Sequence, residues 1–275
     1  VTVLHPAGML AAAPKAVRRF GPVNWRGTRT VFVGQVNGFL RFWQVSVAGP
    51  VLSIALYLMV FLLALGGQRD SAEGAALLTF MAPGLVIMSL LQWSCQGITF
   101  AMVHGKMMGN FNDVLAAPLT PTEILAGYVG AGTLAGFITA LPVLVIVALM
   151  VGMAVQAPLL AFVVALTSSL MMGGFGFIIG ILFSRWDGVT AIYGFIVVPL
   201  TFLSGTFTPI DRLPEIAQSL MLVNPIYYAV DAFRGATIGL NTQPIWLSLA
   251  ILVGMAALFT AIAHVLIDRG IKVKH

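Results

Sequence analysis

Charge in this chain is confined to a few narrow clusters. Residues 42–68, 74–103, 124–184, 188–210 and 235–263 contain no Asp, Glu, Lys or Arg. A bilayer core of ~30 Å is crossed by ~20 apolar residues in a helix, so each stretch can span it, and 124–184 can span it twice. The expected spans are 46–66, 77–102, 125–151, 157–183, 189–208 and 244–267. A chain with 59% hydrophobic and 8% charged residues is not a soluble domain. The expectation is an all-α integral membrane protein with about six transmembrane helices. Pro50, Pro83, Pro142 and Pro199 lie in or near spans and are expected to kink them.

With the N-terminus cytoplasmic, the inner side receives Lys15, Arg18, Arg19, Arg26, Arg29, Arg41, Lys106, Arg185, Arg269, Lys272 and Lys274, and the outer side only Arg69, Arg212 and Arg234. Eleven against three is a strong positive-inside bias and predicts both termini in the cytoplasm. It also accounts for the net charge of +5 without nucleic acid. Arg185-Trp186-Asp187 then turns between the fourth and fifth spans, and Gly152 to Pro158 turns at the opposite end of the fourth. Val1 to Ala13 has no basic region before it and does not read as a signal peptide. The chain divides into an N-terminal region 1–45, a membrane domain 46–268 and a tail 269–275.

No chemistry-bearing cluster emerges. The lone Cys95 has no partner for an internal disulfide, and His5, His104, His264 and His275 lack metal-ligand spacing. There is no G-x-x-x-x-G-K-[ST] run, so no nucleotide is held in a P-loop here. The glycines of 173–177 sit in an apolar span and, with Ser169, Gly132 and Gly136, give the small-residue spacing of closely packed membrane helices.

Four features remain. Residues 22–44 form an amphipathic helix candidate, with Trp25, Phe32, Val36, Phe39 and Trp43 on one stripe and Arg26, Thr30, Asn37 and Arg41 opposite. Such a helix lies in the membrane interface, its aromatics among headgroups, either as a plain anchor or also in contact with a cytoplasmic partner. Residues 104–123 form a polar loop with a short helix over Asn112 to Ala117. Pro118 ends that helix, and a capping box from Thr120 to Glu123 starts the next. Phe111, Val114 and Leu115 make an apolar knob there, which either packs on the chain's own helices or docks a soluble subunit. Residues 202–234 are broken by Pro209 and Pro214, with a helix over Leu213 to Val223, an Asn224-Pro225 turn and a second helix to Arg234. Irregular apolar backbone at membrane depth must be buried or line a cavity, so a pair of short re-entrant helices is expected. Finally, Ser89, Gln92, Gln96 and Thr99 make a polar stripe on the second span. Interhelical hydrogen bonding is its first reading, and a substrate-facing wall its second.

The ordered set Phe202-Leu203-Ser204-Gly205, Pro209, Leu213-Pro214, Asn224-Pro225, Tyr228 and Arg234 resembles the signature of ABC-2 type transporter permeases. Asp113-Val114-Leu115, Ala117-Pro118-Leu119-Thr120 and Glu123 are similar to that family's cytoplasmic coupling segment. The likeness runs over nearly the whole chain, in the manner of bacterial inner-membrane and nodulation-factor export permeases. It implies a permease working with two copies of a separate ABC ATPase, which binds the ATP and Mg. A second permease chain, most simply an identical one, completes the membrane domain. It further implies that Phe111, Asn112, Asp113, Leu115, Pro118 and Glu123 couple to the ATPase and that 205–234 forms an external gate. Outward transport of an amphiphilic, lipid-linked, glycan or drug-like substrate across the bacterial inner membrane is the expected activity.

Two other classes fit the sequence less well. An ion-coupled secondary transporter would carry ionisable groups near the midplane, and the expected spans hold no Asp, Glu, Lys or Arg. An intramembrane lipid-modifying enzyme would need a catalytic cluster at one face. Asp211, Glu215 and Asp231 fall on the outer side and could group, but their setting in the permease-like segment favours a structural role.

Overall fold

A computed structural model describes residues 23–64, 72–210 and 213–270. The described residues are helical and contain no strand. The segment 1–22, with the signal-peptide question, lies outside them, as do Arg69, Asp211, Arg212, Lys272 and Lys274.

The amphipathic segment is α1 (Trp25–Arg41), which passes through Phe42 and Trp43 into one wide turn, Gln44–Ala48, and then α2 (Gly49–Ala64). Next come α3 (Ala72–Met107), α4 (Asn110–Ala116), α5 (Pro121–Val151) and α6 (Pro158–Leu182). A second wide turn, Tyr193–Val197, joins α7 (Trp186–Ile192) to α8 (Val198–Phe202). The chain closes with α9 (Glu215–Val223), α10 (Pro225–Ile238) and α11 (Ile245–Asp268). Among the described residues, five helices are long and apolar enough to cross a membrane, and the 17-residue apolar run Trp186–Phe202 is the sixth element. At 1.5 Å per residue it reaches about 26 Å, the lower limit for a span. The second span outruns the sequence reading: α3 is continuous for 36 residues.

Prolines explain both wide turns. Pro50 has no N–H, and its ring displaces the carbonyl of Ser46, so the Gly49 N–H reaches back five residues to Gln44 instead. Thr139 on α5 donates to the freed Ser46 carbonyl at 3.0 Å. The same arrangement precedes Pro199, where the Val198 N–H bonds to the Tyr193 carbonyl. Pro83 and Pro142 sit inside uninterrupted helices.

The core gathers around α3, with α5, α6 and α10 packed on it. Lipid is as apolar as leucine, so burying apolar area does not hold these helices together; close approach does. A Cβ on Gly136 would lie 2.8 Å from the Leu90 carbonyl, and one on Gly176 would lie 2.9 Å from Cα of Cys95. The small-residue spacing therefore marks true helix seams. Thr99 locks one of them, donating to the Gly176 carbonyl at 2.9 Å. The outer faces of α2 and α11 expose Leu52, Leu56, Val60, Trp246 and Val253, as expected of helices that meet lipid or another membrane chain.

Candidate functional site

The helices present two elaborated ends. At one, α3 passes through Gly109 (φ +79°) into α4, and α5 starts back. The short helix begins at Asn110, two residues before its predicted start. Phe111 takes the inward reading of the apolar knob and corrects the docking one: it is 2% exposed. Its ring meets Tyr128 edge-on at 6.3 Å, and the Lys106 ammonium lies 5.8 Å from its centroid. Val114 and Leu115 share that face and pack partly into the same cluster as Ile124, Phe177 and Ile181. Residues at i, i+3 and i+4 make one stripe, and near water that stripe closes onto the bundle. What α4 leaves outside is Asn112 and Asp113, followed by Pro118, with Met107 and Met108 beside them.

Glu123 does more than its capping box predicts. One carboxylate oxygen accepts the Thr120 N–H at 2.8 Å, and the Glu123 N–H is within 3.4 Å of the Thr120 hydroxyl. The other oxygen accepts the N–H of Asn24, the residue that caps α1. Asn24 in turn accepts from Gly27 N–H at 3.0 Å and donates to the Pro118 carbonyl at 3.2 Å. Two helix N-termini thus share one carboxylate, a favourable place for negative charge. Asn24 was missed in the sequence, although an Asn opening an amphipathic run is a readable cap signal. Helix α1 then lies along α5 with Val31 against Gly127 and Phe32 against Gly130. The aromatic stripe is divided: Phe32, Val36 and Phe39 are half-buried, while Trp25 and Trp43 remain exposed.

The stripe on α3 is divided too. Ser89 is buried and donates to the Val86 carbonyl at 2.7 Å, and Thr99 is the seam bond described above. Gln92 and Gln96 are half-buried.

The opposite end is built on α9 and α10, as the proline breaks predicted. Asn224 joins three elements: its side chain accepts from Ile226 N–H at 3.0 Å, capping α10, and donates to the carbonyls of Leu200 at 2.6 Å and Leu203 at 2.9 Å. Pro225 occupies the first turn of α10, where no donor is lost. The Tyr228 hydroxyl donates to the Leu222 carbonyl at 2.9 Å. Arg234 is 3% exposed. Its Nε donates to the Phe80 carbonyl at 3.1 Å and its Nη2 to the Gly205 carbonyl at 2.7 Å, with the guanidinium 3.7 Å from the Phe80 ring centroid. Gly205 adopts φ +73° against Met221 and Tyr227, a backbone that a side chain disfavours. Ser204 donates to Thr201 at 2.6 Å, and the exposed Phe202 stacks on Phe207 at 5.8 Å. Pro209 and Leu213 are half-buried, and Pro214 is exposed immediately before α9. Asp231, not among the expected gate residues but read as suited to a structural role, is fully buried and accepts the N–H groups of Thr242 and Gln243 at 2.8 Å each. Nothing in its spacing distinguishes it from a surface acid.

The family model for ABC-2 type transporters matches residues 27–238, which contain both ends. The chain belongs to the ABC-2 type transporter family. It is similar to the inner membrane transport permease YadH of Escherichia coli (strain K12), 26% identical over 246 residues that cover 90% of this chain and 96% of that protein. Nodulation protein J of Rhizobium leguminosarum bv. viciae is 23% identical over 235 residues, 80% of this chain and 88% of that protein. The E. coli permease YhhJ is 22% identical over 170 residues, covering 59% of this chain and 44% of YhhJ. In this ABC-2 family the membrane chain works with an ABC ATPase subunit.

Proposed function

We propose that this chain is the permease of an ATP-driven exporter in the bacterial inner membrane, with both termini cytoplasmic. Two copies, each bound to one ATPase subunit carrying ATP and Mg, make the working unit. The names of the two E. coli relatives support transport and the inner membrane, and the charge asymmetry supports the orientation. The observation that carries the coupling role is the shared carboxylate. Glu123 bonds the start of α1 and the start of α5 together, while Asn24 holds Pro118 and Phe111 packs α4 on Tyr128, so α1, α4 and α5 move as one body. The surface offered to the ATPase is Asn112, Asp113, Pro118, Met107 and Met108. Phe111 and Leu115 stiffen it from beneath. ATP-driven closure of two ATPases would push both bodies and rock the bundles, and 205–234 would gate the outer side. Gln92 and Gln96 are the stripe residues free to face a pathway between two permeases, because a half-buried amide at membrane depth is better placed on a cavity than in lipid. The substrate they suit is an amphiphile with an uncharged polar part: lipid-linked, glycan or drug-like.

The test is affinity purification of the tagged chain from its native membrane. An equimolar P-loop ATPase should accompany it and be lost from a variant combining Asp113→Lys with Met108→Asp. Recovery of the chain alone, with no ATP turnover in extracts that preserve membrane complexes, would overturn the proposal. If Gln92→Ala and Gln96→Ala together leave substrate-stimulated ATP turnover intact, the stripe is packing.

A further inference from the structure

A groove of about 220 Å³ lies between α3, α5, α6 and α10. Its wall includes Leu90, Phe137, Leu141, Phe162, Ala165 and Phe233, and every side chain lining it is apolar. Water has no hydrogen-bond partner there, and an apolar cavity of ~150 Å³ is already large enough to stay dry and admit benzene. Leu141 and Phe162 stand at the mouth, more than half exposed, and the outward faces around them carry Leu134, Val145, Leu159 and Val163. The groove therefore opens sideways from two membrane-spanning helices, in the half adjoining the α5–α6 turn. At ~100° per residue, Leu90 points away from Gln92 and Gln96 around α3, so the groove is separate from the polar stripe. A groove of about 220 Å³ is too small to take a turn of helix ~10 Å across, but it admits a hydrocarbon chain.

We propose that this groove holds one acyl chain of a bilayer phospholipid from the leaflet adjoining the α5–α6 turn. Left empty, its walls would forfeit dispersion contacts that a methylene chain restores. The chain would end against Phe233, the neighbour of Arg234, and so would brace α10 where the α5–α6 turn also holds it. There the N–H groups of Gln156 and Ala157 donate to the carbonyls of Thr237 and Ala236 at 2.9 Å each. A lipid in this position would link bilayer composition to the stability of the segment 205–234. The inference stands whether or not the chain is an exporter.

The experiment uses the full chain in phosphatidylethanolamine–phosphatidylglycerol vesicles doped with a phosphatidylcholine bearing a photoactivatable diazirine in its acyl chain. After irradiation, labelled residues are mapped by mass spectrometry. Labelling at Leu141, Phe162 and Ala165 should exceed that at Val145, Leu149 and Leu159 several-fold. Ala165→Phe, or the milder Ala161→Leu, should remove the excess without changing labelling elsewhere. Uniform labelling over the exposed faces overturns the proposal in the wild-type chain, independently of how either variant folds. Disulfide cross-linking between two copies through Phe162→Cys or Leu141→Cys would also overturn it, assigning the groove to a second copy.

Discussion

Both ends are built from short helices bounded by prolines, one at the α4 end and two at the other, and they commit different residues of those helices to the interior. At the α9–α10 end the polar residues are the fasteners. Asn224, Asp231 and Arg234 are all buried, and together they bond to the backbone of α3, α8, the Gly205 turn and the loop after Gly239. At the α4 end Glu123 and Asn24 tie the starts of α5 and α1, but α4 itself is fastened by Phe111, and its Asn112 and Asp113 are left outside. A polar group at membrane depth must find its partners within the protein. A polar group at the water boundary is satisfied by water and stays free for a partner chain. Of the residues singled out from sequence, those at the α9–α10 end therefore hold a scaffold, while those exposed on α4 are available for recognition.

Five substitutions test that division. Arg234→Met leaves the carbonyls of Phe80 and Gly205 without donors in a dry site and should cost about 4 kcal/mol, read as the shift in unfolding of the purified chain in detergent. Arg234→Lys should recover only part, since an ammonium does not reproduce the fork that spans both carbonyls. Phe111→Ala removes the ring between α4 and α5 and should cost about 3 kcal/mol in the same measurement; a surface knob would lose almost nothing. Asn224→Ala removes a helix cap and two donated bonds at once, for about 2 kcal/mol. Asp113→Lys should change stability by less than about 0.5 kcal/mol. In pull-down, however, it should release the ATPase that the wild-type chain retains. If Asp113→Lys destabilised the fold as Arg234→Met does, the contrast between the ends would collapse.

Much of the architecture was legible in the sequence because hydrocarbon restricts the choices so severely. Charge-free stretches marked the spans, Arg185-Trp186-Asp187 marked a turn, and Pro209, Pro214 and Asn224-Pro225 marked the breaks around α9 and α10. Thr120 and Glu123 announced the start of α5. These are local rules, satisfied within a few residues. The residues misread, or read only in part, depend on distant neighbours. Phe111 carried the correct helical stripe, but a stripe does not state which side faces the bundle. Glu123 showed its capping box, but its second bond goes to Asn24, 99 residues away. Ser89, Gln92, Gln96 and Thr99 looked like one surface until Gly176 let α6 come close enough to claim Thr99.

The sequence by itself determined that this chain is an all-helical membrane protein with about six apolar segments and proline breaks at both elaborated ends. Burial of backbone in hydrocarbon leaves few other solutions. Only the tertiary structure decided the direction of each face: Phe111 inward, Asp113 outward, Arg234 between α3 and the Gly205 turn. Those directions follow from which helices approach through which glycines. They also follow from which orphan carbonyl lies within hydrogen-bond reach, a relation between residues too far apart in the chain for any local pattern to record.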